Sequence, residues 1–257
     1  MNEPRSIRQR ALLGLESYGL TLDMMSSTMV EMANAAGYHF VRIDREHTLM
    51  DDSTLRQMLD TARLLGIPCQ IRVNSLEDIN CYLSLGASAI MVPHVESREQ
   101  AQAAISAVKY APLGDRGMTG GIRAVRFGQI SREEYLRTAN DTIDLIVQIE
   151  SKTGIEHIDE ILSLKGIDMV ATGKADLSQS FGVPGQKKHP DVLAAEAFIV
   201  KKALEYHKIP TLVAENAARA AELKDMGVFC YLTGHDESIA FRAIKNNLNA
   251  FVTPKPS

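Results

Sequence analysis

The chain has 257 residues, of which 45% are apolar and 23% charged, and its formal net charge is −4 at pH 7. These values predict a globular protein with a sizeable core, and the interspersed charge signs argue against nucleic acid as the main partner. No apolar stretch is long enough for a membrane span or a signal peptide, and three cysteines without a CxxC pair favour reduced thiols in the cytoplasm.

The first half of the chain alternates short, β-branched apolar runs with amphipathic segments. Strands are predicted at residues 15–22, 40–44, 68–73 and 89–92. Helices are predicted at residues 27–36, at 53–65 and from Ser97 to Val108. A further helix is expected to begin at residues 75–78, where Ser75 and the acidic residues after it resemble a capping box.

The second half begins with a long stretch, residues 110–127, that has no periodicity and is rich in glycine. Loops of this length in compact domains are usually functional or disordered. After it, strands are predicted at 145–150, 169–172, 211–213 and 229–233, and helices at 191–206, 216–226 and 237–251. Eight strands alternating with helices predict an α/β protein, a single-domain (β/α)₈ TIM barrel over residues 1–257, with a doubly wound open sheet as the alternative.

Charged residues follow the second, fifth and sixth predicted strands. The carboxyl ends of strands are where α/β barrels bind their ligands. Glu150 and Asp176 offer hard oxygen donors suited to Mg²⁺ or Mn²⁺, and His47 is a group that titrates near neutrality. Taken singly, these residues also fit a surface glutamate, a helix-capping aspartate and a loop histidine. Their combination at neighbouring strand ends favours a metal-assisted active site.

Two arginines are candidates for holding an anionic substrate. Arg72 lies within the apolar third strand, where a buried cation needs an anionic partner such as a bound carboxylate or enolate. Arg116 opens a glycine-rich segment that is either a plain flexible loop or an anion-gripping lid. The remaining histidines lack the spacing of metal ligands and are interpreted as surface or packing residues: His39, His94, His157, His189, His207 and His235.

Several motifs together resemble the class II, metal-dependent pyruvate aldolases, the group of the 4-hydroxy-2-oxoheptanedioate and 2-keto-3-deoxyglucarate aldolases. The resemblance covers residues 8 to 240. The segments that carry it are Asp44-Arg45-Glu46-His47, Gln70-Ile71-Arg72-Val73, residues 82–87, 91–95 and 109–117, Gln148-Ile149-Glu150, and residues 173–178. Their order and spacing identify the chain as a member of this family.

The resemblance implies a metal and substrate site. It assigns Glu150 and Asp176 as the two protein ligands of a divalent cation, Mg²⁺ or Mn²⁺, with Co²⁺ as a further candidate. Gln148, Gly173 and the backbone around Ala175 would hold the carboxylate and keto groups of a pyruvate-like unit. A cation chelated by a 2-oxo acid polarises its carbonyl group and stabilises the enolate formed at C3.

The resemblance also implies the catalytic groups. Arg72 would stabilise the enolate oxygen, His47 would transfer the proton, and Asp44 would support His47 as a nearby anion. Arg116 would contribute to substrate binding. The expected enzyme is a lyase that reversibly cleaves 4-hydroxy-2-oxo acids into pyruvate and an aldehyde. The alternatives are a Claisen-type condensation of an acetyl thioester with oxaloacetate and a carboxylate-binding relic without turnover.

The last predicted helix carries an apolar stripe that is broader than packing on one neighbouring element requires. The resemblance implies a hexamer, a trimer of dimers, in which this helix is exchanged between subunits, and an ordinary eighth barrel helix is the alternative. The stripe consists of Ile239, Ala240, Phe241, Ile244, Leu248 and Phe251.

Three residues depart from the family pattern. Thr21 stands where the family commonly carries a tryptophan, and Lys174 stands at the usual proline of the metal loop. Ser84 replaces an aspartate that supports the catalytic histidine. The first two changes are expected to reshape the substrate pocket, and the third to make His47 a weaker base.

Overall fold

The computed structural model describes residues 6–118, 123 and 125–252 of the chain. Within them, eight parallel strands follow one another around a closed barrel, and β8 pairs with β1. This confirms the predicted (β/α)₈ barrel and rejects the open sheet, because an open sheet would leave both edge strands unpaired. The strands are β1 Ser17–Leu22, β2 Phe40–Asp44, β3 Cys69–Arg72, β4 Ala89–Val92, β5 Asp144–Gln148, β6 Met169–Ala171, β7 Ile209–Val213 and β8 Cys230–His235.

The helices surround the barrel, apart from a short helix that precedes the first strand. They are α1 Ile7–Leu12, α2 Ser27–Ala35, α3 Asp52–Leu65, α4 Ile79–Leu85, α5 Arg98–Val108, α6 Arg132–Thr142, α7 Lys152–Glu156, α8 Ile158–Leu162, α9 Lys174–Ser180, α10 Pro190–Glu205, α11 Ala217–Asp225 and α12 Asp236–Asn249, with a 3₁₀ turn at Arg126–Gly128. In this part of the chain, no helix is long and apolar enough to cross a membrane.

Several helix starts follow local capping signals, and one predicted start does not. The Ser97 hydroxyl accepts a hydrogen bond from the Gln100 amide, as expected for a residue that caps a helix. The predicted capping box at residues 75–78 is wrong, because α4 begins only at Ile79. The Ser75 hydroxyl instead accepts from the Glu77 amide in a local turn, and this bond competes with helix formation.

The barrel interior is narrow, and its residues are fitted to one another. An added Cβ on Gly19 would collide with the Phe40 ring, so glycine on β1 makes room for the aromatic side chain on β2. Apolar side chains from β4, β5, β6 and β8 complete this inner core, including Met91 and Ile146. Above it, polar side chains enter the interior at the carboxyl end, where the site lies.

Ion pairs close the opposite, amino-terminal end of the barrel. Arg8 of α1 pairs with Asp144, with its Nε 3.0 Å from the Asp144 Oδ1, and it also pairs with Asp168. The fully buried Lys109 ammonium lies 2.6 Å from the Asp168 Oδ2. Burial raises the pKa of Asp144 to about 7, an effect that the Arg8 charge opposes without cancelling.

Candidate active site

A pocket of about 240 Å³ opens at the carboxyl ends of the strands. It brings together most of the predicted site residues, which come from four different strand ends. Among the described residues, the lining comprises Arg42, His47, Arg72, Gln148, Thr172, Gly173, Lys174, Ala175, Asp176, Lys187, Glu196, Val213, Glu215 and His235. This is the position at which barrel enzymes carry their active sites.

Two carboxylates approach each other across Gly173. A Cβ at this position would collide with the Glu150 Oε2 and would lie 3.2 Å from the Asp176 Oδ2. The Gln148 amide would lie 2.8 Å away, and its Nε2 donates a hydrogen bond to the Glu150 Oε2. Glycine is therefore required here by close approach of side chains. Its φ of −119° would suit other residues.

Glu150, Asp176 and Gln148 form a cradle around Gly173, and the electrostatics of this cradle suit a cation. Burial raises the pKa of Glu150 to about 7, and the charges of Asp176 and Glu46 act in the same direction. The Gln148 Oε1 and the Thr172 Oγ1 are buried without a hydrogen-bond partner in the described part of the chain. A divalent cation would relieve the carboxylate repulsion and has further oxygen donors within this pocket.

The ligand set is sparse. No group of three or more His, Cys, Asp or Glu residues capable of holding a metal occurs in residues 6–118, 123 or 125–252. Mg²⁺ is typically bound through one or two carboxylates, with water and substrate completing its coordination. The pair formed by Glu150 and Asp176 fits such a site, because it leaves open positions for a chelating substrate.

Arg72 is held by two carboxylates of β2 and the loop that follows. Its Nε lies 3.1 Å from the Asp44 Oδ1 and its Nη2 bonds the second oxygen of Asp44, while its Nη1 lies 3.0 Å from the Glu46 Oε2. Burial acts to raise the pKa of Asp44, but the hydrogen bonds and charge of Arg72 hold it below its usual value. Asp44 is thus an ionised support for Arg72.

His47 lies at the rim of the pocket with a largely exposed side chain. Its backbone amide and that of Glu46 point to the Asp44 Oδ1, at 3.4 and 3.0 Å. The His47 Nε2 is 3.6 Å from the Glu46 Oε2. Asp44 therefore fixes the backbone that carries His47, and the carboxylate beside the ring is that of Glu46.

Glu46 and His94 are site residues that the sequence interpretation missed. The His94 Nδ1 lies 3.0 Å from the Glu150 Oε1, and its Nε2 lies 3.0 Å from the Glu46 Oε1. Each ring nitrogen of His94 thus lies within hydrogen-bond distance of one carboxylate, so the ring links Glu150 to Glu46. His94 is exposed, in agreement with its interpretation as a surface residue, but it also contacts two carboxylates at the candidate site. Its place just beyond β4, at the same barrel end as the other site residues, was the available signal.

Arg116 lies outside the pocket lining described above. It is buried, its Nε donates to the Asn80 Oδ1 at 3.2 Å, and its guanidinium lies 4.7 Å from the centre of the Tyr110 ring. In this chain it anchors the start of the glycine-rich stretch. Gly120 and Gly121 of the proposed lid lie outside the described residues.

Lys174 forms ion pairs with acidic side chains at the pocket wall. Its ammonium lies 3.0 Å from a Glu215 oxygen and 4.0 Å from a Glu196 oxygen. These contacts engage the nitrogen of Lys174, whereas Schiff-base formation needs a free amine facing the substrate. Lys174 is thus poorly prepared for Schiff-base chemistry, and the carboxylate cradle is the better reactive centre.

The fold is that of a TIM-barrel enzyme, and the candidate site residues converge at the carboxyl ends of the strands. The chain belongs to the HpcH/HpaI aldolase/citrate lyase family, whose defining sequence pattern matches residues 18–242. This membership confirms the family resemblance and the expectation of an aldolase-type lyase.

Similar proteins of known name agree with this assignment. A 2-keto-3-deoxy-L-rhamnonate aldolase of Klebsiella pneumoniae is 34% identical over 95% of this chain and 92% of its own length. A hydroxypyruvate/pyruvate aldolase of Sagittula stellata is 35% identical over 76% of this chain and 78% of its own. The crystal structure of the citrate synthase SbnG superposes with a TM-score of 0.88 at 29% identity, covering 96% of this chain and 97% of that one.

Proposed function

We propose that this protein is a divalent-metal-dependent aldolase that cleaves 4-hydroxy-2-oxo acids into pyruvate and an aldehyde, or joins them. The observation that carries the proposal is the approach of Glu150 and Asp176 across Gly173, beside the amide of Gln148. The names of the aldolase relatives support a substrate of the keto-acid class.

The residues of the cradle bind and orient the substrate. Glu150 and Asp176 would hold the cation, which would polarise the keto group of a bound 2-oxo acid and stabilise the enolate. Gln148 lines the same wall, and its free Oε1 together with the backbone around Ala175 would position the 2-oxo acid. A substrate fixed at both its carboxylate and its keto group presents C3 in one orientation.

Bond cleavage requires movement of one proton and one electron pair. In the cleavage direction, His47 would accept the proton of the 4-hydroxyl group as the C3–C4 bond breaks and the aldehyde departs. The bonding electrons pass into the enolate of pyruvate, and the proton held by His47 would return to C3, which regenerates the base. Arg72 would stabilise the developing negative charge, and Asp44 and Glu46 preorganise its guanidinium for that role.

A Claisen-type condensation is a second candidate. The structural likeness to a citrate synthase at 29% identity favours it, because the same enolate-stabilising cradle can act on a thioester and oxaloacetate. Consumption of oxaloacetate that depends on an acetyl thioester would identify this reaction.

Assembly through α12 belongs to the same proposal. Phe241, Ile244 and Leu248 are more than half exposed, although they lie on an amphipathic helix. A groove beside β1 and β8 combines apolar lining residues, including Tyr18 and Ala221, with the charged Glu16, Glu215 and Lys224. We propose that α12 of a second copy fills this groove, within a hexamer built as a trimer of dimers.

Deuterium exchange at C3 of pyruvate tests the aldolase directly. In D₂O with Mg²⁺ or Mn²⁺, NMR should record exchange that stops after exhaustive chelation. Glu150→Gln and Asp176→Asn should each reduce the rate by at least about a hundredfold while circular dichroism stays unchanged, because each removes a charged oxygen ligand. Glu237→Gln, on an exposed residue of α12, is the control. Exchange that persists without metal would contradict the proposal.

A further inference from the structure

Arg42 is a buried cation that the proposed reaction does not use. It lies on β2 inside the barrel and is only 6% exposed. Its Nη2 donates to the Thr21 hydroxyl at 3.0 Å, and its Nη1 lies 3.7 Å from the Met91 sulfur. Its Nε has no partner, and no carboxylate within the described ranges forms an ion pair with it. The pocket reaches this guanidinium.

The two interior arginines differ in what balances their charge. Arg72 is bonded by Asp44 and Glu46, whereas the bonds of Arg42 go only to a hydroxyl and a thioether. The charges of Asp44, Asp23 and Glu46 act on Arg42 without forming an ion pair with it. Burial and the neighbouring Arg72 lower the pKa of Arg42 to about 10, which still leaves it protonated at neutral pH. An unpaired buried cation is costly, and an anion that enters from the pocket removes that cost.

We propose that Arg42 and Thr21 form a second anion subsite, which binds the distal carboxylate of a dicarboxylic 2-oxo acid. The inference rests on the proposed function, in which the opposite end of the substrate is held at Glu150 and Asp176. The aldehyde product would then itself carry a carboxylate. A guanidinium presents paired donors that match a planar carboxylate.

The remaining charges of the pocket are of both signs, and Lys187 is a further basic residue of its lining. Lys174 is already paired with Glu215, so it adds no free positive charge at the wall. Glu196 and Asp176 are further acidic groups lining the same small pocket. Among the described residues, Arg42 is the buried cation of this lining with which no carboxylate forms an ion pair.

Calorimetric binding of matched 2-oxo acids to the Mg²⁺-loaded protein tests the subsite. The pairs are 2-oxoglutarate with 2-oxopentanoate and 2-oxoadipate with 2-oxohexanoate, which differ only in the terminal carboxylate. In at least one pair, the diacid should bind roughly tenfold more tightly or better, as expected for a charge-assisted hydrogen bond. Equal affinities in both pairs, or no binding of either diacid, would overturn the inference.

Substitutions at Arg42 and Thr21 distinguish recognition of the distal carboxylate from a structural role of Arg42. Arg42→Met should bring the ratio of diacid to monoacid affinity close to one. Thr21→Val should cause a smaller decrease in this ratio, because the hydroxyl no longer orients the guanidinium. Arg42→Met should also unfold at an unchanged or higher urea concentration, since it removes an unpaired buried charge of similar volume. A lower midpoint together with a retained ratio would show that Arg42 is structural. The exposed Arg137→Met is the matched control and should keep the ratio.

Deuterium exchange at C3 of pyruvate shows whether the anion subsite or the aldolase activity is the proposal that fails. Exchange needs no second carboxylate, so wild-type exchange with equal binding within each pair would reject the subsite alone. Preferential binding of the diacids without any exchange would retain the subsite and reject the aldolase. The two results are independent because one measures binding of an inert acid and the other measures proton transfer.

Discussion

His94 contacts Glu150 twice. Its backbone N–H donates to the Glu150 Oε1 at 3.0 Å, and its ring Nδ1 lies 3.0 Å from the same oxygen. The residue adopts a φ of +53°, which is uncommon for a non-glycine residue and is more often seen for His, Asn and Asp than for other types. These contacts occupy one oxygen of Glu150 and leave the other oxygen turned toward Gly173.

Loss of the His94 ring should weaken metal binding. His94→Asn keeps a residue that tolerates positive φ but removes the ring that links Glu150 to Glu46. Groups that orient metal ligands typically contribute tenfold or more to affinity, so the Mn²⁺ dissociation constant measured by electron paramagnetic resonance should rise about tenfold. His207→Asn is a matched control, because His207 has a φ of +56° in a different part of the fold. An unchanged or tighter Mn²⁺ constant would contradict the positioning role.

A methyl group at position 173 should disable the site without unfolding the barrel. The backbone of Gly173 suits alanine, but the added Cβ would displace the Glu150 carboxylate. We expect Gly173→Ala to lower C3 exchange by at least about a hundredfold, while the urea midpoint changes little. Exchange at the wild-type rate would show that the close approach seen here is not required for activity.

Assembly should depend on the exposed face of α12. Phe241→Asp or Ile244→Asp places a charge on the apolar stripe, and a buried interface would exclude it. Sedimentation velocity at micromolar concentration should then show smaller species than the wild-type protein. Asn246→Asp, on the same helix, should leave the assembly intact. A monomeric wild-type protein would refute the hexamer itself.

The amino-terminal ion-pair cluster predicts a pH effect of known sign. Folding raises the pKa of Asp144 from 3.8 to about 7, so the folded state binds this proton more tightly than the unfolded state does. The stability that this group contributes is therefore present at acidic pH and is lost as the pH rises to about 7. The asparagine side chain does not ionise in this range. The free energy of unfolding of Asp144→Asn, minus that of the wild type, should therefore increase between pH 5 and pH 8.

Urea unfolding at several pH values measures that difference. Subtracting the wild-type free energy from that of the variant removes contributions of groups that both proteins share. Asp225→Asn, at an exposed position, should give a flat difference over the same range. A difference for Asp144→Asn that is flat or falls with pH would contradict the assigned direction.

The fold was predictable because its signals are local. The strand at 40–44 was predicted with the bounds that are observed, since a β-branched apolar run ends there in charged residues. Helix α6 was missed because its only buried residue in the described chain is Ala139, which leaves no apolar periodicity to recognise. Helix α1 escaped for a similar reason, as it is only six residues long.

The site was predictable in part. Glu150 and Asp176 could be selected by their place after strands, and the structure brings both to Gly173. The contacts of His94 could not be predicted from the sequence, because its partners lie at the ends of β2 and β5. Arg42 carried the same signal as Arg72, because each is a basic residue within an apolar strand. A basic residue within an apolar run is expected to find a partner, and only the structure shows that none of the described carboxylates pairs with it.

The spacing of Asp44 and Arg42 has a consequence for how this enzyme can diversify. Two positions apart on β2, they face the same interior but have different partners, Arg72 for one and Thr21 for the other. Under the proposed anion subsite, a codon change at position 42 or 21 would alter which substrates are accepted while the hydrogen bonds between Asp44 and Arg72 remain. Libraries randomised at these two positions alone offer a compact starting point for laboratory evolution of new acceptor preferences.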